Sequence, residues 1–155
     1  MSIEPYDFGI LLGLAYQDFV AELNDHLARR GFTSVGASYG YVFRALVAQD
    51  LTTSQLAARL RITPQGAAKI VDEMAATGYV ERRVDPGDRR AKVLRLTERG
   101  RGAVSAARAF HRDFERRLAR RHGPAAAAAV REALTGIVER DATATDAAER
   151  LLRPL

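Results

Sequence analysis

The strongest constraint on the fold lies between Thr52 and Gly100, where helix starts, helix stops and a turn follow in close order. Thr52 with Gln55 three residues on fits a capping box, so a short helix opens at 53 and runs to 60. Leu56, Ala57 and Leu60 supply its inner face. Arg61-Ile62-Thr63 is a tight turn. Thr63 is a good N-cap and Pro64 a good first helical residue, so a second helix starts there, runs to about Thr77 and ends at Gly78. It would turn Ala67, Ile70, Val71 and Met74 inward and leave Gln65, Gly66, Lys69, Asp72 and Glu73 on or near its outer face. Residues 79–84 and 91–96 then look extended, with Val80/Val84 and Leu94/Leu96 at two-residue steps. Asp85-Pro86-Gly87-Asp88-Arg89-Arg90 lies between them. Pro-Gly suits a type II turn, which predicts a hairpin with a basic tip.

The flanks read as helices. Residues 7–30 carry Phe8, Leu11, Leu12, Ala15, Phe19, Leu23 and Leu27 at three- and four-residue steps, with Gly31 as the stop. Residues 36–49 put Val42, Phe43, Leu46 and Val47 on an apolar face. Thr97 caps a long helix over 98–121, with a stripe of Ala103, Ala107, Phe110, Phe114 and Leu118. His122-Gly123-Pro124 breaks it. A last helix runs to about Leu152 with Val130, Leu134, Ile137, Ala144, Ala148 and Leu151 as its stripe. The predicted fold is therefore mainly α with a small β-hairpin wing.

Two short helices joined by a tight turn make a helix-turn-helix, and a basic hairpin directly after the second helix makes it winged. In such a unit the second helix enters the DNA major groove, and the hairpin reaches the neighbouring minor groove, whose negative potential attracts Arg. The charge agrees in its placement. The chain's net charge is +5, yet residues 1–51 hold 3 basic and 6 acidic residues while residues 52–101 hold 11 and 6. Residues 102–121 add 6 basic against 2 acidic. All but 2 of the 24 basic residues are Arg, the side chain suited to phosphates and base edges. A solvated Arg-rich surface would carry the same total, so the position of the charge is the argument.

The stretch Leu51–Gly100 resembles the MarR family of bacterial transcriptional regulators. The resemblance rests on Asp85-Pro86-Gly87-Asp88-Arg89-Arg90, followed by Leu94-Arg95-Leu96-Thr97-Glu98-Arg99-Gly100, which match a D-P-x-D-R-R wing and an L-x-L-T-x-x-G segment. It implies an N-terminal dimerisation helix (1–35), a winged helix-turn-helix DNA-binding domain (36–100) and C-terminal dimerisation helices (101–155). It implies a homodimer on a pseudo-palindromic operator in double-stranded DNA, with half-sites about one turn, ~10 bp, apart. Thr63, Gln65, Gly66 and Lys69 fall where recognition-helix contacts are made. Arg90 falls at the wing-tip arginine, Asp88 at the acid that orients it, and Arg89 beside them on phosphate. Thr52 and Ser54 would meet backbone phosphate. Arg61 stands where glycine is common, so a left-handed backbone there would be mildly strained. Ala68 replaces the usual Ser or Thr. Tyr16, Phe19, Tyr39 and Phe43 would line a cavity for a small aromatic or lipophilic effector, the plainer alternative being core packing. Asp113 sits four residues before Arg117, as a helix ion pair requires.

Other classes find little support. The chain has no cysteine, which excludes disulfides, thiolate metal sites and a thiol oxidant sensor. His26, His111 and His122 show no metal-ligand spacing. No nucleophile–base pair, Gly-rich phosphate loop or cofactor motif points to an enzyme. No apolar run approaches the ~18 residues of a membrane span, and the N-terminus lacks a basic signal-peptide start, so the expected location is the cytoplasm. The competing reading is a winged-helix module that binds another protein and no operator, against which the basic wing argues.

Overall fold

The computed structural model describes residues 6–139. In chain order it has α1 (Phe8–Ala28), α2 (Tyr39–Ala48), α3 (Thr53–Leu60), α4 (Pro64–Ala76), β1 (Val80–Val84), β2 (Lys92–Leu96), α5 (Glu98–His122) and α6 (Pro124–Glu139). The mainly helical architecture with one antiparallel hairpin is the one the sequence predicts. Val80 pairs with Leu96 and Val84 with Lys92. The outer stretch of the expected last helix, with Ala144, Ala148 and Leu151, lies outside the described residues.

The capping residues act as their positions require. Thr52 and Gln55 form the reciprocal box. Thr63 accepts from the Gly66 N–H at 3.0 Å. Arg61 closes α3 in the left-handed region at φ 51°. Sequence reasoning missed a second such residue, Ser34 at φ 58°. α2 starts later than expected, because the chain from Gly36 to Ser38 spends its carbonyls on a turn into the helix.

The core sits in the winged unit. Val42, Leu56, Val71, Met74, Tyr79 and Leu94 are its most deeply buried large side chains. The Tyr79 hydroxyl donates to the Thr33 carbonyl at 2.6 Å, which satisfies the one polar atom of a fully buried ring. The wing is rooted in this core by a feature without sequence signal: Leu51 and Leu94 exchange both backbone hydrogen bonds, at 2.7 and 3.3 Å.

Thr97 and Gly100 weld the hairpin to α5. The Thr97 hydroxyl donates to the Gly78 carbonyl at 2.6 Å and accepts from the Gly100 N–H at 2.9 Å. The Thr97 N–H reaches the Tyr79 carbonyl. Gly100 passes so close to Tyr79 that a Cβ would lie 2.2 Å from its carbonyl oxygen. The L-T-x-x-G part of the motif is therefore explained by packing.

The apolar stripes of α1 and α6 stay open within the chain: Phe8, Leu11 and Leu12 are 70, 51 and 40 % exposed, and Val130, Leu134 and Ile137 are exposed too. Two expectations need correction. Val47 lies a residue beyond the buried Leu46 and turns off the core to 43 % exposure. The other concerns the wing: Gly87 has no positive φ, so the type II turn is not formed. The Asp85 and Asp88 carboxylates supply the turn's hydrogen bonds instead, to the N–H groups of Gly87 and Arg90.

Phe19 joins α1 to α5 through its edge-on contacts with Phe110 and Phe114, centroids 5.4 and 4.9 Å away. Two histidines flank this seam. Burial and then the Arg30 charge hold His26 below its ordinary pKa, and burial lowers His111. The unfolded chain therefore takes up protons that the folded one resists. The stability is present above the unfolded value of about 6.5 and is lost as pH falls below it. The melting temperature should drop between pH 7.5 and 5, and the double substitution His26→Gln, His111→Gln should flatten that drop. Calorimetry at a series of pH values checks it.

Candidate nucleic-acid interface

α3 and α4 meet at the left-handed Arg61 turn, and the Ile62 N–H returns to the Ala57 carbonyl at 3.1 Å. This fixes how α4 leaves α3. Thr63, Gln65 and Lys69 are exposed at and beyond the start of α4. Thr63 uses an oxygen lone pair on its cap, which leaves the hydroxyl proton to donate outward. Gly66 is half-buried beneath it, and a Cβ there would crowd the Thr63 hydroxyl at 3.2 Å. The Thr52 hydroxyl likewise accepts within its capping box and keeps its proton to donate, and Ser54 is exposed.

Asp88 acts on Arg90 through the backbone. Its Oδ1 accepts the Arg90 N–H at 2.9 Å, and the Ala91 N–H closes onto the Asp88 carbonyl. The acid thus shapes the turn that presents Arg90, while the guanidinium stays unclaimed. Arg89 and Arg90 are exposed, and neither forms an ion pair with another described residue. The arginines nearer the root are engaged: Arg82 with Asp72 at 2.5 Å, Arg83 with Glu81 at 2.7 Å and Arg95 with Asp50 at 3.2 Å. Of the five wing arginines, the two at the tip are therefore the ones without an acid partner.

The four aromatic residues separate into two places. Tyr39 and Phe43 are buried with Tyr79 in the winged core, while Tyr16 is exposed on α1 and Phe19 sits on α5. The cavity beside the wing has other walls. It measures about 540 Å³ between the end of α2, β2 and α5, with Leu46, Val47, Leu96 and Val104 alongside Arg95, Arg101, Arg108 and Arg112. The signal for it was the spacing of Arg101, Arg108 and Arg112 along one side of α5, which reads equally well as helix surface. The Asp113–Arg117 pair forms at 3.2 Å, and Arg117 also reaches Glu22 of α1. Among the described residues no group of three or more His, Asp or Glu is placed to hold a metal, and no helix is long and apolar enough to cross a membrane.

Two helices set by a tight turn, the second leading into a hairpin with free arginines at its tip, define a winged helix-turn-helix protein. Residues 33–91 match the model of the MarR family. An uncharacterized protein of Mycobacterium tuberculosis is 34 % identical over 88 residues, covering 57 % of this chain and 62 % of that protein. The match thus spans about three-fifths of the relative's length. Among solved structures, RV1404 of Mycobacterium tuberculosis superposes with a TM-score of 0.69 at 20 % identity, over 92 % of this chain and 100 % of that one. A MepR mutant of S. aureus bound to an oligodeoxyribonucleotide superposes at 0.59 with 19 % identity, over 86 and 96 %. These likenesses show the fold.

Proposed function

We propose that this chain is a sequence-specific DNA-binding transcriptional regulator that acts in the cytoplasm as a homodimer on a pseudo-palindromic operator. The observation that carries the reading is the exposed, unpaired pair Arg89 and Arg90 at the tip of a wing set beside α4. Thr63, Gln65, Gly66 and Lys69 enter the major groove, Arg90 the minor groove, and Arg89, Thr52 and Ser54 meet backbone phosphate. The DNA-bound MepR structure supports this use of the fold. The dimer is supported by the apolar side chains that α1 and α6 leave uncovered, Phe8, Leu11, Leu134 and Ile137 among them. On this reading residues 1–35 and 101–155 form the dimerisation layer.

Selection from a random duplex library tests the proposal. The expected product is an inverted repeat with half-sites about 10 bp apart, bound more weakly as salt rises. A library that yields no preferred sequence would favour the protein-binding alternative. Sedimentation at micromolar concentration should give a dimer, and a monomer would overturn the assembly.

A ligand-released repressor is the form of regulation the cavity supports. Its apolar floor and guanidinium rim suit a small organic acid better than a neutral lipophile. A ligand lying between Leu96 and Arg112 would join the wing strand to α5 and so favour one setting of the winged unit over another. Naphthoate serves as a probe. It should raise the melting temperature of the wild type and not of Arg108→Ala, Arg112→Ala, and equal shifts would remove the cavity from the scheme.

A further inference from the structure

Gln65, Lys69 and Asp72 follow one another at four- and three-residue steps along the exposed row of α4. The first two belong to the DNA-facing set proposed above, so the third places a carboxylate on the same row. A bare anion there would oppose the approach of a phosphate backbone. The carboxylate is not bare: its Oδ1 accepts from Arg82 Nη2 at 2.5 Å. Arg82 is the central residue of β1, and its register partner is Leu94, the residue bridged to Leu51. One side chain therefore links the recognition helix to the root of the wing. With side-chain exposures of 36 and 68 %, the pair adds little to folding stability. Its consequence belongs to what the exposed row meets.

We propose that Arg82 is a positioning residue for DNA binding: it neutralises Asp72 on the DNA-facing row, and does not itself hold a phosphate. The inference rests on the DNA-binding reading. It divides the wing arginines by place. Arg82, Arg83 and Arg95 at the root are each occupied by an acid, whereas Arg89 and Arg90 at the tip are free for the nucleic acid.

A double-mutant cycle on the duplex enriched by selection tests this. Arg82→Ala should weaken binding about tenfold by exposing the Asp72 charge, and Asp72→Asn alone should keep or raise affinity. The double variant should return to within about twofold of wild type, with the slope of affinity against salt unchanged because no phosphate contact has been lost. If Arg82 binds phosphate directly, the double variant stays as weak as Arg82→Ala and the slope falls by about 0.9, which overturns the proposal. The pair is also read without DNA. The Arg82 Nη–H resonances should shift in Asp72→Asn, and unmoved signals show that the pair is absent in solution and overturn the proposal too. A wild-type protein that retains no DNA sequence sinks the proposed function and this role together. A wild type that binds, with a double variant that does not recover, sinks this role alone.

Discussion

Arg90→Ala should lower operator affinity more than tenfold, a loss above about 1.4 kcal/mol. The guanidinium is held by no described carboxylate, so its donors are unspent when DNA arrives. In a narrow minor groove that charge meets concentrated negative potential, and its removal loses the contact with no compensating gain in the free protein. The turn itself should survive, because Asp88 grips the residue through the backbone N–H, which alanine keeps. Arg121→Ala, an equal charge change at the far end of α5, should stay within about twofold of wild type at the same salt. Titration by fluorescence anisotropy reads both. Full affinity in Arg90→Ala would remove the wing tip from the interface.

Gly100→Ala should be the most damaging single methyl in the winged unit. The new Cβ would lie 2.2 Å from the Tyr79 carbonyl oxygen and 3.2 Å from its carbon, and both are backbone atoms of a fully buried residue. Relief requires α5 to back away from the hairpin, which stretches the Thr97 bonds to Gly78 and Tyr79. Overpacking of this kind costs about 3 kcal/mol, or roughly 10 °C in Tm for a chain of this length. Gly102→Ala is the informative comparison. Its Cβ would meet only the ring end of the half-buried Phe32, at 2.9 Å, and a ring can swing. Thermal melts should rank Gly100→Ala well below Gly102→Ala, and the reverse order would refute the packing account of the motif.

The helix order and the capping residues were legible because their signals are local. As caps, Thr52, Thr63 and Thr97 each act within three residues of themselves, and the break at Gly123 is closed by a bond four residues back. The exposed faces of α1 and α6 were visible as apolar stripes, but a stripe does not say whether its cover comes from the same chain. Phe19 found α5 while Phe8 stays 70 % exposed among the described residues. For the candidate site, the exposure of Gln65, Lys69 and Arg90 followed from periodicity and turn position. The Asp72–Arg82 pair and the Arg95–Asp50 pair did not, because they join elements whose relative angle is set by core packing. The pocket aromatics failed to gather for the same reason: Tyr39 and Phe43 were claimed by the ring of Tyr79. The turn type, by contrast, was decided locally, by two aspartates outcompeting a Pro-Gly preference.

The Leu51–Leu94 bridge makes the hairpin a cantilever. Its root is clamped to the chain between α2 and α3, and its free end carries Arg90. Four residues separate Leu94 from Arg90, roughly 13 Å, so tilting the clamp by about 5° displaces the tip by about 1.1 Å. That is over a third of the length of a hydrogen bond. The clamp ties the setting of the tip to that of the chain leading into α3. Small rotations of the base are then felt most strongly at the residue farthest from it.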